Sequence, residues 1–251
     1  MADDRVSDVG MPAWMWFLIA FIALVTGLAL LAVDRAREGS RNRERLRWAD
    51  LRGWQFAEED PRMVSHWTEG AMGYYRAEAA VNVVAGTTFT SEGRRSVYVF
   101  DIEANRQIPA SVVAVRCGKA FPVLLELWLA SVPFQRSEMP DLLGPAGQRY
   151  AFTDNVEAAR SVISQLLIDA AGELGGDVSV VWMEHDWVLA AVSPNAGPSR
   201  LERLLRDVGE IADIIDPEDE DDAGGKHVWQ DPPEGVRHVD SMHEKPHGDI
   251  G

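Results

Sequence analysis

RRSVYVFDIEA, Arg94 to Ala104, alternates so that Val97, Val99 and Asp101 share one face and Tyr98, Phe100 and Ile102 the other, because successive strand residues point to opposite sides of a sheet. Most of both faces is apolar, which marks a central strand. Outward from it, YYRAEAAVNVVAGTTF precedes and SVVAVRCG and PVLLELWLA follow, all rich in Val and aromatics and parted by turn residues such as Ser91-Glu92-Gly93 and Ala104-Asn105. Four strands in series predict an antiparallel meander. In the last of them Leu125, Leu127 and Leu129 line one face, and Leu124 and Trp128 join Glu126 on the other.

Upstream, Trp54 and Phe56 open a short alternating strand after Gly53, and Asp60-Pro61 caps a short helix over residues 62–68. Downstream, Thr153 or Asp154 caps a helix, with Glu157 in capping-box position and Val156, Ala159, Val162, Ile163, Leu166, Leu167 and Ala170 at helical spacing. Gly172, Gly175 and Gly176 end it. DVSVVWM and WVLAAVS then form a hairpin through Glu184-His185-Asp186. Ser199 and Glu202 make a second capping box for a helix carried by Leu201, Leu204, Leu205, Val208, Ile211, Ile214 and Ile215. Strands in series followed by helix, hairpin and helix predict an α+β domain over residues 53–215, a mostly antiparallel sheet with helices packed on it.

The N-terminal part obeys a different rule. AWMWFLIAFIALVTGLALLAV, residues 13–33, holds no charged side chain in twenty-one residues. At about 1.5 Å per residue a helix of that length reaches about 31 Å, enough for a hydrocarbon core of about 30 Å. Trp14 and Trp16 stand at its outer edge as interfacial anchors. Seven arginines lie between Asp34 and Arg52, against Arg5 alone in the first twelve residues. Basic flanks stay in the cytoplasm, so residues 1–12 are expected outside, residues 34–52 as a basic juxtamembrane helix, and the domain inside, at the inner membrane. Arg35, Arg37 and Arg41 stand at the membrane interface, where they chiefly set topology and contact with anionic inner-leaflet lipids is secondary. A cleaved signal fits poorly, since the start is acidic and the apolar run too long.

The net charge of −16 is uneven: residues 216–251 carry eleven acidic side chains against three basic ones. This segment is expected to be disordered, too charged to offset its ordering cost. An acidic chain also excludes nucleic acid as a main partner.

No reaction motif emerges. Glu184, His185 and Asp186 resemble a catalytic cluster, but neighbours on a hairpin tip diverge, and a solvated turn is the better reading. Cys117, beside Gly118 in a Val-rich strand, reads as a small buried hydrophobe, and a single cysteine allows no internal disulfide. The tail histidines His227, His238, His243 and His247 lack a scaffold for a metal. No phosphate-binding, dinucleotide or zinc signature is present, so neither cofactor nor metal is expected. Two features favour interaction. Ala20, Ala23 and Gly27 share one face of the span, a small-residue stripe against which another helix can pack. Val228-Trp229 is an apolar pair in the acidic tail, the form of a short docking peptide, although solubilising filler is the better reading of that segment.

RWADLRGWQFAEEDP at residues 47–61 and VYVFDIEAN at residues 97–105, set behind a span and a basic segment, resemble the actinobacterial single-span envelope proteins that include the mycobacterial trehalose monomycolate transport factor family. That resemblance implies a cytoplasmic α+β domain beside a mycolate-lipid exporter, assisting export without catalysis. It carries over no functional residue, and the twelve residues before the span depart from it. The expectation is therefore a non-enzymatic, membrane-tethered adaptor docking on an inner-membrane protein. The competing expectation is a ligand-binding module or enzyme with a pocket between sheet and helices.

Overall fold

The structure, a computed structural model, describes residues 13–133 and 139–217; within its first helix, side chains are described for residues 14–29, 39 and from 41 onward. The tail beyond Pro217, with its histidines and Val228-Trp229, lies outside the described residues. The chain divides into two compact units, one ending at Arg43 and one beginning at Glu44. The first helix, α1 (Ala13–Arg52), contributes to both. In the first unit Trp14, Trp16, Phe17 and Phe21 are exposed. Among the described residues no helix is long and apolar enough to cross a membrane. The apolar run of the sequence continues past Ala29 into residues 30–33, whose side chains are not described.

Among the described residues the second unit is built on nine strands: β1 (Gln55–Glu59), β2 (Ala79–Thr90), β3 (Gly93–Ala104), β4 (Gln107–Arg116), β5 (Leu125–Leu129), β6 (Asp141–Ala146), β7 (Arg149–Thr153), β8 (Val178–Glu184) and β9 (Trp187–Val192). They form one sheet in the order β1-β2-β3-β4-β9-β8-β5-β7-β6, and every pairing is antiparallel. Its helices after α1, among the described residues, are α2 (Arg62–His66), α3 (Gly70–Tyr75), α4 (Val156–Val162), α5 (Gln165–Glu173) and α6 (Pro198–Ile215).

The central strand lies where its sequence puts it. Val97 and Val99 face a core with α5, α6 and the end of α1, where Leu167, Leu201, Leu204, Val208, Ile211 and Trp48 are buried. Phe100 and Ile102 face a second core closed by α2 and α3 through Met63, Trp67 and Met72. Helices on both faces explain why β3, β4 and β9 are apolar on both sides.

The meander holds for β2-β3-β4 and fails at the fourth strand. β9 pairs with β4, while β5 pairs with β7 and β8. All six residues of β9 are buried, so this strand requires a neighbour on each side, and the β8–β9 hairpin takes the position expected for β5. The β6–β7 hairpin was not legible, because Gly144 and Pro145 interrupt its first strand.

The caps also differ from expectation. Asn155, not Thr153 or Asp154, caps α4 by accepting from Ala158 N–H, and Asp154 Oδ1 accepts from Leu124 N–H at 2.9 Å. The expected single helix breaks at Ile163, which is extended. Ser164 then caps α5 through Leu167 N–H, a side-chain bond that competes with helix continuation. At α6 the cap is Gly197 with Pro198 in the first turn and no side-chain cap bond. Glu202 instead accepts from Trp48 Nε1 at 2.9 Å and pairs with Arg52 at 2.8 Å.

Candidate functional site: buried polar clasps and an apolar cleft

Five groups of side chains stand out from the two cores. The first centres on Asp101, which is completely buried on the α1-facing side of β3. Its Oδ1 accepts from Arg45 Nη2 at 3.1 Å and from Ser111 Oγ at 2.5 Å, and its Oδ2 accepts from Asn82 Nδ2 at 3.0 Å. Asn82 reaches it from a bulge in β2, at φ 52°. Three donors from three elements around one carboxylate satisfy a charge that would otherwise be expensive to bury.

The second joins β5 and β8 to the loop before α3. Glu126 accepts from Gly70 N–H at 2.8 Å and Trp128 Nε1 at 2.6 Å. Three strands later in sequence but adjacent in the sheet, Glu184 accepts from Thr68 N–H at 2.9 Å and Trp182 Nε1 at 3.2 Å. Both carboxylates are buried and hold a segment of backbone rather than an open site. The expected solvated turn is thus corrected at Glu184. His185 and Asp186 do form the two-residue tip, with Asp186 Oδ2 accepting from Arg116 Nε at 2.6 Å and His185 exposed beside His66, ring centroids 5.4 Å apart. The three side chains do not converge.

The third fastens α6. Asp213 accepts from Thr90 Oγ1, Ser91 N–H and Oγ, and Arg95 Nε. Burial pushes its carboxyl up, but the bonds from Ser91, Thr90 and Arg95 together hold it below the usual carboxylate range. Arg95 also pairs with Asp216 at 3.2 Å, and Asp216 accepts from Gly118 N–H. Asp216, expected as the first residue of a disordered tail, is buried and belongs to the fold.

The fourth is Arg149 on β7, buried and donating to three carbonyls, of Ala171 at 3.0 Å, Leu127 at 3.3 Å and Val178 at 3.1 Å. Burial lowers its pKa to about 10. Here carbonyl dipoles replace a counter-ion.

The fifth is a cleft of about 340 Å³ between the β6–β7 hairpin and the α4–α5 break, lined by Leu143, Pro145, Ala146, Ala151, Ile163 and Ile168, with Gly144 and Arg160. Arg160 is exposed.

Cys117 is buried, and burial pushes its thiol up to about 12, as a small core hydrophobe should behave. Ala20, Ala23 and Gly27 are exposed on α1, and a Cβ on Gly27 would meet nothing within 4 Å. Arg41 is half-buried, while the side chains of Arg35 and Arg37 lie outside the described residues. Among the described residues no group of three His, Cys, Asp or Glu side chains could hold a metal ion.

Arg45, Asn82, Asp101, Ser111, Arg149 and the Asp213–Asp216 pair escape a search for motifs. Their signal is a polar residue at an inward position of an apolar alternation, as in VFDIE and LLELW, which demands a partner without naming it.

A family model described as trehalose monomycolate transport factor TtfA matches residues 12–226. Trehalose monomycolate transport factor A of Mycolicibacterium smegmatis is 26% identical over 201 residues, which cover 80% of this chain and 69% of that protein. The crystal structure of the mycobacterial trehalose monomycolate transport factor A matches with a TM-score of 0.59 at 25% identity, over 70% of this chain and 94% of that one.

Proposed function

The chain belongs to the trehalose monomycolate transport factor family, and from that premise we propose that it is a non-enzymatic accessory factor of mycolate-lipid transport, tethered to the inner membrane and docked on the transport machinery. The observation that carries this reading is the extent of the family match, which takes in the apolar N-terminal run, the basic segment and the sheet domain together.

Physical arguments supply the tether. Residues 13–33 are apolar throughout and of a length that spans a bilayer. The arginines after them favour a cytoplasmic domain, and Arg41 with its neighbours Arg35 and Arg37 lies where anionic headgroups would be met. A tethered domain samples a thin layer rather than the whole cytoplasm, which raises its effective concentration beside a membrane partner. The buried carboxylates are each engaged by donors, Asp101 by the side chains of Arg45, Asn82 and Ser111, and Glu126, Glu184 and Asp213 by backbone N–H groups among others, which supports a structural role for them.

Extraction of the full chain in mild detergent, followed by mass spectrometry of what co-purifies, tests the docking. A stoichiometric membrane transporter is the expected companion, and recovery of the chain alone from native membranes would reject the adaptor role. Gly27→Ile fills the small-residue stripe of Ala20, Ala23 and Gly27, and is expected to lower that recovery. Protease added to intact spheroplasts is expected to spare the domain; digestion would reverse the topology.

A further inference from the structure

We propose that His66 and His185 together hold a divalent transition-metal ion of the zinc class, which fastens α2 to the tip of the β8–β9 hairpin. The chain has six histidines, four of them between residues 227 and 247. The other two, far apart in sequence, meet with ring centroids 5.4 Å apart and planes inclined by 36°. That inclination is neither the parallel-offset nor the edge-to-face arrangement that aromatic rings prefer for each other. The separation does suit a shared ion. An imidazole nitrogen binds Zn²⁺ at about 2.0–2.1 Å and the ring centre lies about 1 Å behind it, so two imidazoles at a tetrahedral angle on one ion have centres about 5 Å apart.

Both rings are exposed yet carried on anchored backbone. His66 ends α2, and Trp67 after it is buried. His185 is the first residue of the tip, at φ 57°, a left-handed conformation in which histidine is enriched. The tip is fixed at both carbonyls, His185 accepting from Phe121 N–H at 2.6 Å and Asp186 from Cys117 N–H at 2.7 Å. Glu184, the residue before His185, accepts from the N–H of Thr68, two residues after His66, at 2.9 Å. The fold therefore sets the approach of the rings, and binding has little left to order.

The surrounding charge also favours a cation. Glu184 Oε1 lies 4.0 Å from His185 Nε2. Its carboxylate is engaged by uncharged donors, the backbone N–H groups of Thr68 and Glu69 and the Trp182 indole, so its negative charge acts on the site as an outer carboxylate behind a histidine ligand does. Arg62 and Arg116 are matched by Asp60 at 3.1 Å and Asp186 at 2.6 Å. Two imidazoles select zinc, copper or nickel over magnesium or calcium, and water completes the coordination without a third protein ligand. This site stands apart from the accessory role in transport, which rests on the family match and the apolar N-terminal run.

The test treats the full chain in mild detergent with diethylpyrocarbonate, with and without Zn²⁺, and maps modified histidines by mass spectrometry. Each tail histidine is then read separately from His66 and His185. Zn²⁺ is expected to slow modification of both His66 and His185 at least tenfold, and Mg²⁺ to leave them unprotected. His66→Ala is expected to abolish protection at His185, and His185→Asn, which keeps a residue suited to the left-handed tip, to abolish it at His66. Zn²⁺ is also expected to raise the melting temperature of the full chain and not that of either variant. Melts without metal check that both variants fold. Protection confined to the tail histidines, or retained at His185 in the His66→Ala variant, would overturn the shared site. An equal rise in melting temperature in all three proteins would overturn the fastening of α2 to the hairpin.

Discussion

Asp101 is buried with three donors around it, from Arg45, Ser111 and Asn82. Taking away one partner of a buried ion pair leaves the other charge without solvent or counter-ion, which costs about 3–5 kcal/mol. Asp101→Ala is expected to lose stability in that range in denaturant melts of the full chain. Arg45→Met combined with Asp101→Ala should lose less than the sum of the two single changes, because the second removes a charge the first has already stranded. Cys117 makes a different residue-scale prediction. Its thiol ordinarily titrates near 9.0 and burial carries it to about 12. Between those values the unfolded chain gives up a proton that the folded chain keeps, so stability is whole below pH 9 and falls as pH rises toward 12. Cys117→Ala should flatten that part of the stability profile, and iodoacetamide should modify Cys117 in the native protein at pH 8 no faster than the protein opens.

Among the elements, the two ends of the sheet show what each strand is for. β1 is short and ends in Glu58 and Glu59, and β6 is broken by Gly144 and Pro145, so neither outer edge offers a long apolar template for another chain. The interior strands were legible because their apolar alternation is strong, whereas their order was not. Alternation tells each strand which faces are covered but not which neighbour covers its edges, so β9 displaced β5 beside β4. Helix ends were least legible, because Asp154, Asn155, Ser164 and Ser199 all can cap and only tertiary contacts choose among them. Glycines within elements give a paired prediction. In β2 a Cβ on Gly86 would collide with the Trp54 ring, so Gly86→Ala should destabilise by about 1–3 kcal/mol through overpacking. In α5 a Cβ on Gly172 meets nothing within 4 Å, and Gly172→Ala should stabilise by about 0.4–1 kcal/mol by restricting the unfolded chain. Thermal melts of the two variants should move in opposite directions.

For the whole molecule, the sequence reading recovers the α+β class and the family, and leaves the cleft out. Its lining comes from β6, β7, α4 and the α4–α5 break, and two of those features, the bulge and the break, have no periodic signature. The same reading sets the boundary of the fold one residue too early. Composition changes abruptly at Asp216, where the acidic run begins, yet Asp216 pairs with Arg95 and accepts from Gly118 N–H, and its backbone carbonyl accepts from Arg95 Nη2 at 2.7 Å. A charge at the start of a charged segment looks like tail to any composition argument, and only its buried partner reveals it as core. Where the fold ends can therefore be measured. A chain stopped after Pro217 keeps every one of these bonds and should melt within a degree or so of the full chain, since surface changes away from such contacts are usually worth at most about 0.5 kcal/mol. Asp216→Ala in the full chain takes away one of the two carboxylates on the buried Arg95, which keeps Asp213 and its backbone acceptors, and leaves Gly118 N–H without its acceptor, at an expected loss of about 1–3 kcal/mol. Equal melting of all three proteins would place the end of the fold at Ile215, and a loss in the chain stopped after Pro217 would show that residues beyond it contribute to the domain.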